Sequence, residues 1–239
     1  MITLYGFGKC FNVMDASPFV VKVELFMRMA NIPYQVKYGA KYLKKSPKGK
    51  LPFINDDGIV VADSEAIISY LTDKYLITLD AELTAEQKAQ AHLMTKSLDE
   101  GLYWCLVYSR WIMDESWPLT NEAFFGSLPV PLRWFLPNII RKSVKKNLHG
   151  QGIGRHTAEE VLDISDKSLA SLSTLLADKN CFFGDTYTSF DAIVYSHLCE
   201  FISVRFENGF ESKFTKNAKR YQNLVQFCQR IEDKFYPEK

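Results

Sequence analysis

Residues 51 to 67 read Leu51-Pro-Phe-Ile-Asn-Asp-Asp-Gly-Ile-Val-Val-Ala-Asp-Ser-Glu-Ala-Ile67, and this stretch decides the fold. Two short runs of β-formers, Pro52 to Asn55 and Ile59 to Ala62, flank Asp56-Asp57-Gly58, the strongest hairpin signal in the chain. Asp63 or Ser64 then caps a helix with Ile67, Ile68, Leu71 and Tyr75 on one face. Upstream, Ile2 to Phe7 is a strand pattern stopped by Gly6 and Gly8. Ser17 before Pro18 marks a helix start, a side-chain cap followed by a proline where no backbone donor is needed. The apolar positions Phe19, Val23, Phe26, Met27 and Ala30 continue that helix, and Asn31 and Pro33 end it. Tyr34 to Tyr38 reads as a second strand, followed by a lysine-rich loop.

The resulting order is β-α-β-β-β-α. A β-α-β start implies two parallel strands joined by a right-handed crossover, with the hairpin antiparallel beside them. This is the plan of a thioredoxin-like domain. Beyond Tyr75 the strand signals vanish. Thr84 and Gln87 form a capping box that opens a long helical pattern through about Met113. Further helices are predicted at Pro131 to Leu148, Thr157 to Ala177 (Thr157 and Glu160 making a second box), Thr188 to Phe206 and Ala218 to Phe235. The fold class is therefore α/β plus all-α. Residues 1–76 are thioredoxin-like, 77–83 a linker, and 84–239 an all-helical domain.

Composition narrows the function classes. The 239 residues carry 29 Lys+Arg against 28 Asp+Glu, a formal charge of +1, which argues against a dedicated nucleic-acid binder. No stretch approaches the roughly 18 apolar residues of a membrane span, and the N-terminus lacks the pattern of a secretory signal. The five cysteines are scattered without CxxC spacing, so neither a disulfide framework nor a zinc site is expected. His149 and His156 also lack metal-ligand spacing, and no metal is expected. Free thiols fit a reducing compartment, and cytoplasmic residence is the expectation.

The layout, with four local features inside it, resembles the glutathione S-transferase superfamily over nearly the whole chain. Those features are Ser17-Pro18-Phe19, Leu51-Pro52-Phe53, Asp63-Ser64-Glu65-Ala66-Ile67, and Gly184-Asp185-Thr186-Tyr187-Thr188-Ser189-Phe190-Asp191. Within the superfamily, Asp15 to Phe19 and His149 to Glu160 resemble the metaxin and failed-axon-connections branch. The resemblance implies glutathione as co-substrate. Ser17 is the first candidate to stabilise its thiolate, because a helix N-terminus and a hydroxyl both favour an anion; the plain alternative is an N-cap. Tyr5 is the second candidate, or else a packed sheet residue. Cys10, in the long loop from Gly8 to Ala16, offers a mixed disulfide or is passive.

The same resemblance places a cis-proline at Pro52, so that the Leu51 backbone pairs with the cysteinyl unit of glutathione. Asp63 and Ser64, at a helix start, are implied to hold the γ-glutamyl carboxylate. Lys50, best placed in a positive loop with Lys37, Lys41, Lys44, Lys45 and Lys48, offers a contact to the glycyl carboxylate of an anionic tripeptide; a solvated lysine loop is the plain alternative. Thr188 and Asp191 are a structural capping box. Tyr103, Trp104, Tyr108 and Trp111 are candidate walls of a pocket for a small hydrophobic electrophile, or equally core residues.

Residues 128 to 148 combine apolar bulk with a basic end. They read either as an amphipathic element for a membrane surface or a partner, or as a stripe packed on its own domain. Two functions follow. One is a transferase that conjugates glutathione to a small electrophile, or uses it for reduction. The other is a non-catalytic adaptor of the same fold, with the lengthened loop before Ser17 in its favour. A homodimer is the family expectation.

Overall fold

The computed structural model describes residues 1–206 and 208–237. Strands β1 (Ile2–Gly6), β2 (Tyr34–Tyr38), β3 (Phe53–Asp56) and β4 (Ile59–Ala62) form one sheet in the order β2-β1-β3-β4. β1 runs parallel to β2 and antiparallel to β3, and β3 and β4 form the hairpin. The two-residue turn is Asp57-Gly58, both at positive φ (49° and 97°), which suits the right-handed twist of the strands. Asp56 belongs to β3 instead: it is buried, and it accepts from Tyr70, Lys74 and Tyr75.

Helices α1 (Pro18–Met29) and α2 (Ser64–Tyr75) complete the first unit. α1 is buried nearly all round because it lies between the sheet unit and the helical unit, where it packs on α8 (Ser189–Ile202). From Phe190 to Ile202 every residue of α8 is buried, which makes it the core of the second unit. Around it run α3 (Ala85–Ser97), α4 (Tyr103–Trp111), α5 (Trp117–Phe125), α6 (Val130–Gln151), α7 (Ala158–Leu176), α9 (Lys213–Ala218) and α10 (Gln222–Phe235). Both predicted capping boxes, at Thr84 and Thr157, open their helices.

Three expectations are corrected. The pattern read as one helix to Met113 is interrupted by a π-helical turn at Leu98–Leu102. The helix read from Ala218 starts at Gln222, after the separate short α9, whose start is capped by Ser212. Helix α6 is not a stripe packed along its length on its own domain. Pro137 and Leu148 are its buried residues, while Val130, Leu132, Trp134, Phe135 and Ile139 are exposed.

Asp191 anchors the start of α8 as part of a capping box with Thr188. Its carboxylate accepts from the Thr188 N–H (2.8 Å), the Thr188 hydroxyl (2.8 Å) and, beyond the box, the Phe182 N–H (2.9 Å). Among the described residues no disulfide joins any of the five cysteines.

Candidate active site

The loop between β1 and α1 is long, yet it is tied down. Phe11 and Asn12 occupy left-handed backbone positions (φ 54° and 65°) in a tight turn closed by paired bonds between Cys10 and Val13. The chain then returns through Asp15, fully buried, whose carboxylate accepts from the Gly8 N–H (2.8 Å) and the Ser17 N–H (2.9 Å). Asp15 fits only because residue 6 is glycine: a Cβ there would stand 2.5 Å from its Oδ2. The added residues thus bulge outward as a turn, and Ser17 still arrives at the head of α1.

Ser17 lines a cleft of about 410 Å³ between the two units. It holds the N-cap backbone position without making a side-chain cap bond, so the plain N-cap reading is corrected. Burial pushes the Asp15 carboxyl up to about 8, opposed by the Gly8 and Ser17 amides and reinforced by Glu200. The raised carboxyl carries less negative charge beside Ser17 near neutral pH than an ordinary aspartate does.

Lys50 and Leu51 share the cleft with Ser17. The Leu51–Pro52 peptide bond is cis, as the resemblance implies. The ladder between β1 and β3 stops at the Tyr5–Phe53 pair, two residues short of Leu51. Facing them from the helical unit are Tyr103, Trp104, Trp111 and Phe124. Tyr108, expected with them, is buried away from the cleft, its hydroxyl 3.4 Å from the His156 carbonyl.

Tyr5 does not line the cleft. Its ring stacks on Phe53 (centroids 4.1 Å apart) and meets Tyr42 edge-on (4.9 Å), as a packed sheet residue does. Asp63 and Ser64 also lie outside the cleft lining. The Asp63 carboxylate caps α2, accepting from Glu65 (3.1 Å) and Ala66 (3.3 Å), and so occupies amides expected to face a ligand. Asp63 itself sits at φ 93°, a conformation that costs a non-glycine residue roughly 1–3 kcal/mol. Ser64 is the buried first residue of the helix. Burial, opposed by Arg110 and reinforced by Glu200 and Asp15, pushes the Cys10 thiol up to about 12, so at neutral pH it is a poor nucleophile.

Two charged groups at the cleft escaped the sequence reading. Arg110 donates to the Ala16 carbonyl (2.9 Å) and to the Glu200 carboxylate (2.5 Å), fixing the residue before Ser17 to the helical unit. No local pattern marks Arg110 in its aromatic run. Asp99, on the π-helical turn, pairs with buried Lys22 of α1 (2.9 Å) and lies 3.4 Å from His197 Nε2. Burial pushes the His197 pKa down to about 4, against Asp99 and the Ile193 carbonyl, with Lys22 adding to the fall. Lys22 did carry a signal: with Glu24 and Arg28 it is one of three charged residues in a helix whose other nine positions are apolar. A larger groove of about 980 Å³ lies at the other end of α1, near Arg28 and Tyr34, away from Ser17.

Among the described residues no group of three His, Cys, Asp or Glu side chains could hold a metal ion.

Comparison with known proteins matches residues 18–117 to the glutathione S-transferase N-terminal domain and residues 165–231 to the glutathione S-transferase C-terminal domain. The isoprene-epoxide–glutathione S-transferase of Rhodococcus sp. (strain AD45) is 33% identical, over 98% of this chain and 99% of that one. Failed axon connections of Drosophila melanogaster is 31% identical over 100% of this chain, which spans 59% of that longer protein. Human metaxin-2 is 28% identical over 91% of this chain and 81% of its own length. Among solved structures, apo human glutathione-S-transferase T1-1 superposes with a TM-score of 0.63 at 15% identity, over 100% of this chain and 85% of that one. Both halves of the chain match, a relative is 33% identical over 98% of it, and the chain belongs to the glutathione S-transferase superfamily, with metaxins and Failed axon connections among its relatives.

Proposed function

We propose that this protein binds glutathione in the Ser17–Leu51 cleft and transfers it to a small apolar electrophile of the epoxide class. The observation that carries this reading is convergence. The head of α1, an uncapped Ser17 hydroxyl and the backbone before a cis-proline wall one side of a cleft whose other wall is aromatic. Leu51 extends past the β1 ladder and offers its N–H and C=O to the cysteinyl unit, as an added strand would. Lys50 supplies a cation for the glycyl carboxylate.

In the reaction, the glutathione S–H loses its proton to solvent, and the thiolate is stabilised by the Ser17 hydroxyl and the helix N-terminus. The sulfur then forms a bond to an epoxide carbon while the C–O bond breaks, and the alkoxide takes a proton from water. Tyr103, Trp104 and Trp111 give the electrophile an apolar seat. The relative that is named for an epoxide substrate, matched over 99% of its own length, supports this choice of class. Calorimetric titration with glutathione tests it. Saturable heat that weakens in Lys50→Ala is expected, and no heat at millimolar glutathione would overturn the reading.

A further inference from the structure

Helix α6 presents the apolar side chains of its first turns to solvent. Every residue from Pro129 to Phe135 is exposed, almost two full turns, so the apolar side chains there point outward all round. Trp134 is 68% exposed, Phe135 59% and Ile139 63%, and Val130 and Leu132 are more than half exposed. A soluble surface scatters such residues singly; a run of them on one element marks a contact site.

The pattern of charge says what kind of contact. Leu132, Phe135 and Ile139 are spaced three and four apart on one stripe, and Lys142 and Lys146 continue that stripe at the same spacing. The sequence of α6 contains Arg133, Arg141, Lys142, Lys145 and Lys146 and no acidic residue. Arg133 pairs with Glu122, and Arg141 pairs with Asp114 while also reaching the carbonyls of Trp111 and Ile112. The three lysines make no ion pair among the described residues. They are therefore the free positive charge of this element, next to its apolar tip.

Pairing with a second copy fits this pattern poorly. A parallel two-fold contact sets lysine against lysine. An antiparallel one centred near Phe135 sets Leu132 against Ile139 but spans only about two turns and leaves all three lysines without a counter-charge. A bilayer interface suits both halves, since it encloses an apolar tip from all sides and offers phosphates to lysines whose stems lie along the boundary. No described helix is long and apolar enough to cross a membrane, so the contact is peripheral.

We propose that the first turns of α6 insert at the surface of an anionic membrane. Leu132, Trp134, Phe135 and Ile139 enter the acyl boundary, and Lys142, Lys145 and Lys146 lie over lipid phosphates. The proposal is independent of the catalytic reading, because none of these residues lines the Ser17 cleft.

Co-sedimentation of the full chain with phosphatidylcholine vesicles, with and without phosphatidylserine, tests it. Binding is expected with the anionic vesicles and is lost in Phe135→Glu/Ile139→Glu. Lys142→Glu/Lys146→Glu weakens it roughly tenfold or more. All are exposed positions, so thermal melting and glutathione titration stay as in the wild type. No binding to anionic vesicles, or binding indifferent to these substitutions, overturns the proposal. So does a concentration-dependent dimer abolished by Phe135→Glu/Ile139→Glu with no vesicle binding, which would assign the ridge to a second copy.

Discussion

The Lys22 ammonium lies 2.9 Å from the Asp99 carboxylate, with the lysine fully buried and the aspartate 12% exposed at the cleft. This ion pair joins the helix headed by Ser17 to the turn that leads into α4 and its aromatic wall. Removing one member strands the other in a low-dielectric site. Lys22→Met is therefore expected to cost about 3 kcal/mol or more, whereas Lys22→Met/Asp99→Leu recovers at least half of that loss. Denaturant titration of the single and double variants measures the coupling. Strictly additive losses would remove the pair from its structural role.

Acid stability follows from His197. Burial holds its folded pKa at about 4, below the ordinary 6.5, so the unfolded chain binds the proton more readily. Stability is full above about 6.5 and falls as pH drops toward 4, by about 3 kcal/mol across that window. Melting curves from pH 7 to 4 should slope less steeply in His197→Gln than in the wild type. Parallel curves would contradict this.

Ser17→Ala separates a cap from a functional hydroxyl. Because the side chain makes no cap bond, the substitution is expected to change stability by less than ~0.5 kcal/mol. Turnover of an epoxide with glutathione is expected to fall roughly a hundredfold, the loss typical when one donor to a reacting anion is removed. Intact turnover with reduced stability would restore the plain capping role.

Asp191→Ala removes the acceptor for two amides and a hydroxyl at the buried start of α8. An isolated cap costs about 1 kcal/mol. With three donors left unsatisfied, about 3 kcal/mol is expected here, read as a lowered melting temperature. A melting temperature equal to the wild type would remove Asp191 from this anchoring role.

Much of the fold was legible because its signals are local. Ser17-Pro18, Asp57-Gly58, Thr84 with Gln87, and Thr157 with Glu160 each act within one turn, and each opens or closes the element expected of it. The π-helical turn was invisible because apolar spacing runs through it without a break. Half of the candidate site was legible for the same reason: Ser17, Lys50 and Leu51 lie in short motifs. Arg110, Asp99 and His197 were not, since their partners Ala16, Lys22 and each other are tens of residues away in sequence. The sequence leaves the outward face of α6 open to two readings, because an apolar stripe looks the same whether or not a neighbour covers it.

The π-helical turn at Leu98–Leu102 also has an effect on pocket shape. It inserts one residue into a continuous helical path, and each residue advances the helix by about 100°. The azimuth of Tyr103, Trp104 and Trp111 relative to α3 is therefore set by a single-residue insertion. Removing that residue would swing the aromatic face away from Ser17 while leaving every side chain of the wall intact. Selectivity for the acceptor molecule can in this way be retuned by a change of helical phase, with no substitution among the groups that touch it.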